Sequence, residues 1–521
     1  MKKVVLLLIA SLAFYGSIFA QQESHWEPTN DSLSRAYDNW GLIVANVQID
    51  NNTITSDNYL GFEICAFVGD TVRGHCFLKY YDGDQYPVTE LPVYYKKANE
   101  VVAFKLYDHG NEKEYDNFTC SVEYVTGDDY YDYFNPVVIS FFTPTFTKDI
   151  TGYNTGGGYY LIASPIGDVN PGDVDQIFAN TYDLYRFNQA ATPDSEGLAK
   201  EWENYRIHQS DFNLVSGCGY LYANSNDVTL TFTGFPYDGD GKVTLVKNVG
   251  QNTTTNLEGW NLVGNPFAET AYIADGRSFY KMNDTRTNLM EGSGAIPAME
   301  GVFVLAETDG ENMTFTTTEP AAGGSKLALN LSKNRSVIDR AVIRFGEGRT
   351  LPKLQLNTNS TKVYISQDNE DYAVVRGEDM GEMPVNFKAA ENGTYTLAIN
   401  SEEVSFSYLH LIDNMTGADV DLLQNPSYTF DANTTDYASR FKLVFATGDA
   451  SEDSFAFNSN GVWVINNDGK AILQVVDVMG RILKCEQIEG CHNLNLKAAP
   501  GVYMFQLIKG NDVKVQKVVV K

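Results

Sequence analysis

From residue 39 onward, apolar residues come in short runs, broken every few positions by Gly, Asn, Asp or Thr. Examples are YLGFEICAFV (59–68), EVVAFKLYD (100–108) and PVVISFF (136–142), separated by DNN (50–52), GD (69–70), DGD (82–84) and GDD (127–129). Such spacing excludes long amphipathic helices and predicts strands joined by turns, the pattern of β-sandwiches. The aromatic share, 13% with 32 Tyr and 29 Phe, points the same way, since rings favour strands. One helix is predicted, around Asp173 to Asn180. The expected fold class is all-β, built from tandem sandwich-like domains.

The chain begins with Lys2 and Lys3, an apolar stretch from Val4 to Phe19, and then Ala20–Gln21. A basic start, an apolar core and a small residue at the boundary predict a secretory signal peptide over 1–20, cut between Ala20 and Gln21. Polar and Gly interruptions make the stretch too short for a spanning helix. The formal charge is −29, and losing Lys2 and Lys3 makes it two units more negative. So acidic a surface repels phosphate backbones, which excludes nucleic acid as a partner.

Four modules follow: 24–143, 152–318, 326–447 and 455–521, with polar linkers at EPAAGGSK (319–326) and TGDASEDS (447–454). The second carries a duplication. GYYLIASP (158–165) matches GWNLVGNP (259–266), YDLYRFN (182–188) matches RSFYKMN (277–283), and YLYANSNDVTLTFTG (220–234) matches FVLAETDGENMTFTT (303–317). Three matches in one order predict two related β units packed as a pseudo-symmetric pair. The first copy has the longer connections, including EWENYRIH (201–208).

Chemistry is sparsely signalled. The six cysteines are too few for a disulfide scaffold, but Cys65 with Cys76 and Cys485 with Cys491 flank turns and are candidate disulfides. His25, His75 and His109 share the first module and could converge in space, yet no HExxH motif occurs and no metal site is expected. No G-x-S-x-G elbow is present, and GSG (292–294) lies in a Gly-rich turn. Cys218, in SGCG, reads as a small strand residue more simply than as a nucleophile paired with His208. The near pairs Glu201/Glu203 and Asp128/Asp129 are expected by chance in so acidic a chain. No cofactor is expected. Calcium is the one candidate ion, at DVNPGDVD (168–175) and YDGDGKV (237–243), although neither fits the Ca²⁺-loop pattern. Tyr80, Tyr81, Tyr86, Tyr94, Tyr95, Tyr130, Tyr131 and Tyr133 make the first module a candidate glycan binder, because one tyrosine of each consecutive pair points outward.

The last module contains VVDVMGRIL (475–483), LKAAPGVYMFQL (496–507) and a terminal KVQKVVVK (514–521). In order and position these resemble the type A C-terminal sorting domain of bacterial type IX secretion, through Asp477, Gly480, Arg481, Pro500, Gly501, Val502, Tyr503 and Lys521. The resemblance implies a small Ig-like sandwich and partners in the secretion machinery, its surface peptidase and a lipopolysaccharide anchor. GWNLVGNPF (259–267) and the 339–417 stretch are similar to segments that accompany this domain in surface proteins. The chain is therefore expected to be a secreted or cell-surface, non-enzymatic protein for adhesion, binding of a glycan or host protein, or structure. The alternative is a secreted glycosidase or peptidase whose site is assembled from distant residues of the second module.

Overall fold

The structure is a computed structural model. It describes residues 23–520 apart from 56–58, 60, 80–87, 178–180, 190–200, 206–211, 249–256, 322–323, 355, 357–358, 449–454, 460–461, 468 and 511. The signal-peptide boundary Ala20–Gln21 and the terminal Lys521 thus lie outside the described residues. The chain is all-β, as its turn-punctuated runs require. The helix expected near 173 is instead a 3₁₀ turn, Pro171–Asp173, whose Asn170 side chain caps Gly172 N at 2.8 Å. The α-helix among the described residues is Asn30–Ala36, capped by Thr29, with Asp31 in its first turn and Arg35 in its last.

Contacts divide the chain into two compact units, Met1–Phe146 with Thr233–Pro236, and Thr147–Phe232 with Tyr237–Lys521. The first is a sandwich. One sheet centres on Asn39–Ile49, which pairs antiparallel with Thr89–Tyr95 and parallel with Val137–Phe141. The other runs Thr71–Phe77, Phe62–Val68, Ala103–Asp108, Lys113–Tyr115. Alternation sends Ile64, Ala66, Phe104 and Leu106 into the core against Ile43, Ala45, Leu91 and Ile139. On the reverse face of the second sheet, Cys65 and Val72 pack beneath Trp26 and Leu33 of the N-terminal segment.

In the second unit the duplication is physical. The four-stranded sheets Tyr160–Ile162, Tyr220–Asn224, Tyr182–Phe187, Trp202–Asn204 and Trp260–Gly264, Gly301–Leu305, Phe279–Met282, Leu289–Gly292 have the same strand order. They join across a pseudo-dyad by two bridges, Ile162 to Glu300 and Cys218 to Val263. The third sequence match needs a correction of one residue. Tyr185 faces Leu221 in the first copy and Tyr280 faces Phe303 in the second, so Leu221, not Tyr220, is the counterpart of Phe303. A one-residue slip exchanges the faces of a strand, and it is Leu221 and Phe303 that share one apolar cluster.

The third sequence module is one continuous sheet folded over its own core. Strand Lys362–Gln367 turns the corner: its first half pairs with Asn386–Lys388 and its second with Glu370–Tyr372. The outer face of this sheet is not bare. Ala328, Val342 and Val374 join Leu161, Leu262, Tyr280 and Phe303 of the duplicated module in a common core. The segment 319–326 therefore does not separate two independently packed bodies. The last module, by contrast, has a core of its own around Trp463, Leu473 and Phe505, between sheets of three and four strands.

Candidate functional site

In the first unit, strand Phe62–Val68 carries one acid within an apolar run. Glu63 is fully buried, and the fold gathers donors around it. His75 Nδ1 lies 2.8 Å from Oε1 and His109 Nε2 3.0 Å from Oε2. Ser24 Oγ donates to Oε1 at 2.5 Å and the His25 amide to Oε2 at 2.9 Å. His25 itself stacks on Tyr107 with centroids 3.6 Å apart. The three histidines, which share this module in sequence, thus converge in space, around a carboxylate. Burial pushes the Glu63 pKa up, but the bonds from His75, Ser24, His25 and His109 outweigh it and hold it at about 2.

This cluster has serine, histidine and carboxylate, but not the geometry of a nucleophilic triad. A triad places the serine on one ring nitrogen and the acid on the other. Here Ser24 and Glu63 both contact His75 Nδ1, the former at 3.0 Å. The arrangement instead fastens residues 24–37 to the sheet, since Asn30 also bonds the His75 carbonyl and amide. Among the described residues no group of three or more His, Cys, Asp or Glu is placed to hold a metal ion.

Both candidate disulfides are corrected. Cys65 sits opposite His75, and Cys76 opposite Ile64, so the two thiols point to opposite faces of the sheet. Burial raises the Cys65 thiol and pushes Cys76 up to about 12, as thiols in apolar surroundings. Cys485 contacts Gln474, and Cys491 contacts Tyr408 at 3.6 Å; all six cysteines are free. Burial also raises the Cys218 thiol, opposite to what a nucleophile needs; His208 lies outside the described residues.

The acids of the calcium-like loops serve the backbone: Asp168 accepts from Ser216 N at 2.8 Å and Asp240 from Lys242 N at 3.0 Å. Among the tyrosines, Tyr94 is half-buried against the N-terminal segment and Tyr130 packs on the core. Tyr131 and Tyr133 are exposed and meet edge-on at 5.4 Å, beside a Phe134 that is 96% exposed. Tyr80, Tyr81 and Tyr86 lie outside the described residues.

In the second unit two cavities share Thr287 and Asn288. One, about 180 Å³, is apolar, with Tyr159, Trp202, Phe303 and Leu354. The other, about 370 Å³, is lined by hydroxyls and amides such as Asn283, Thr285, Ser336 and Thr361. Neither contains two acids; the charged residues of the larger one, Lys333 and Glu391, are engaged with each other at 2.6 Å.

In the last module the sequence-motif residues gather at one end of the four-stranded sheet. Asp477 lies opposite Tyr503, and Gly501–Tyr503 pair with Val518–Val520. Asp477 Oδ1 accepts from the amides of Met479 and Arg481, both at 2.9 Å, while Oδ2 takes the Arg481 guanidinium at 2.7 Å. Gly480 supplies the left-handed residue, φ +81°, that this turn demands. The turn also exposes Val478 and Met479. Pro500 is exposed just before the strand Gly501–Lys509.

Among the described residues no helix is long and apolar enough to cross a membrane. No family model matches the chain, and no curated protein matches it. Among solved structures, a chain named "Biofilm associated protein - BSP domain" matches with TM-score 0.14 and 9% identity, covering 96% of this chain and 98% of that one.

Proposed function

We propose that the protein is an exported surface protein, delivered by type IX secretion, whose β modules bind or build rather than catalyse. The observation that carries this reading is the convergence of Asp477, Gly480, Arg481 and Gly501–Tyr503 on one end of a sheet in a module with its own core. A separable terminal body suits an export address that a surface peptidase removes, with a lipopolysaccharide anchor taking its place. Its buried apolar contact with the preceding module is small: Val464 meets Tyr408, Val444 and Ala446. The polar sequence TGDASEDS (447–454) between the two modules suits such a cut. The strongly acidic composition keeps such a protein soluble outside the cell.

Deleting Phe455–Lys521 in the native host and fractionating the culture tests this. Full-length protein should reach the exterior, and the truncated chain should remain in the periplasm. Intact mass of the exterior form should show residues 1–20 and the last module gone. Unchanged delivery of the truncated chain, or a Lys521-containing peptide in the mature exterior form, would overturn the proposal.

A further inference from the structure

The second copy's edge strand, Leu289–Gly292, carries an acid that the fold buries without fully satisfying. The Glu291 side chain is 1% exposed. Ser278 hydrogen-bonds the carboxyl, but among the described residues Oε2 has no hydrogen-bond partner. Its nearest cation, Arg340 Nη1, stands 3.7 Å away, too far for a hydrogen bond. A buried carboxylate oxygen in this condition is costly unless something else donates to it.

That oxygen belongs to a residue lining a cavity of about 230 Å³, shared with Ser293, Lys326, Arg340 and Asn400. Ala328 and Val342 give the lining an apolar side. The charges balance, with Glu291 and Glu402 against Lys326 and Arg340. Lys326 is already engaged, 2.9 Å from Glu402 and 3.0 Å from Ser293. Arg340 is held in place by its Nε bond to Asn330 at 2.6 Å. Only the Glu291–Arg340 pair stands ajar.

A cationic ligand would meet Lys326 and Arg340, and an anionic one Glu291 and Glu402. A hydroxyl has neither problem, because it donates to a carboxylate and accepts from a guanidinium at once. Vicinal hydroxyls on a ring would serve both groups, while the ring's C–H face lies on Ala328 and Val342. The cavity is below the usual drug-sized range of about 300–1,000 Å³, so one ring is the fitting size. We propose that this cavity binds a single neutral pyranose unit through hydroxyls bridging Glu291 and Arg340. The inference deepens the binding reading above by naming its ligand class, and it is independent of the export route.

The test uses purified full-length chain and four neutral probes: the methyl pyranosides of glucose, galactose, mannose and N-acetylglucosamine. Saturation-transfer NMR and calorimetry should find at least one that binds with a dissociation constant of about 0.1–10 mM. Glu291→Gln should weaken that probe about tenfold or more, the loss expected when a charged acceptor is removed. Asn400→Ala, on the exposed rim, should weaken it severalfold while leaving the thermal midpoint in place, so the inference stays testable even if Glu291→Gln does not fold. No binding by any of the four up to about 50 mM, a ceiling corresponding to roughly −2 kcal/mol, would overturn it. So would affinities unchanged by Asn400→Ala and by a folded Glu291→Gln. Either failure leaves the export proposal standing, because the fractionation reads location alone.

Discussion

Glu63 and His75 are diagonal neighbours on paired strands, and the acid's Oε1 lies 2.8 Å from the imidazole Nδ1. This contact belongs to the set that holds Glu63 at a pKa of about 2 against an ordinary 4.5. A carboxyl lowered on folding stabilises the native state above its unfolded pKa, and the benefit is lost as pH falls toward the folded one. Glu63 should therefore contribute about 3 kcal/mol at neutral pH, disappearing between about pH 4.5 and 2. Near-ultraviolet circular dichroism should show acid unfolding of the first unit in that window. Glu63→Gln should lower neutral stability and flatten the acid transition.

The two copies of the second unit meet through glycine. A Cβ on Gly264 would stand 2.4 Å from the Cys218 carbonyl oxygen and 2.5 Å from Ala163 Cβ. Backbone cannot yield as a side-chain tip can, so Gly264→Ala should destabilise the second unit by about 1–3 kcal/mol. Chemical denaturation followed by Trp260 fluorescence would measure it. Gly276→Ala tests whether the loss reflects crowding, since nothing lies within 4 Å of a Cβ there and only its left-handed φ of +64° opposes the change.

At the junction of the duplicated module with the next sheet, Lys353 buries its ammonium 2.7 Å from each oxygen of Asp339, with the Val363 carbonyl at 3.0 Å. Burial raises the Asp339 pKa, only partly offset by Lys353 and by the Val363 and Arg340 amides. Removing one partner strands the other's charge in the interior. Lys353→Met should cost about 3–5 kcal/mol, and adding Asp339→Leu should recover most of it. A double-mutant cycle in urea gives both numbers.

The strands were legible because each is a short apolar run closed off by turn residues. YLGFEICAFV, EVVAFKLYD and PVVISFF hold the strands Phe62–Val68, Ala103–Asp108 and Val137–Phe141. The duplication was legible because both copies need the same residues in the same order, but its third register slipped when a shared Ala and Thr-Phe-Thr were matched instead of the buried faces. The helix Asn30–Ala36 was missed because seven residues show no helical period, although Thr29 with Asp31 and Arg35 marks its ends. The common core around Tyr280 draws on runs apolar at consecutive positions, LAL (327–329) and YAVV (372–375), which bury both faces of their strands. The Glu63 cluster joins residues 24, 25, 63, 75 and 109; the shared module of His25, His75 and His109 was its only sequence signal, and Glu63 at its centre went unnoticed. The Glu291 cavity joins four separate segments, and no local pattern encodes that.

The turn after Asp477 should behave as a unit governed by that one carboxylate. It accepts two amides and the Arg481 side chain, and these bonds together hold its pKa below the ordinary carboxylate value. Asp477→Ala would leave the amides of Met479 and Arg481 to solvent, while the strands Lys470–Asp477 and Ile482–Glu489 keep their ladder. The expected loss is local to the turn. Hydrogen exchange should therefore quicken by about tenfold at those two amides and change little at Leu473 or Phe505 in the core. Asp477→Asn, which keeps one acceptor oxygen, should lie between. Should exchange in the whole last sheet rise together, the turn is the keystone of the module's stability and not a local clasp. If the export proposal holds, Asp477→Ala secreted from the native host would then separate the turn's shape from the stability of the body that carries it.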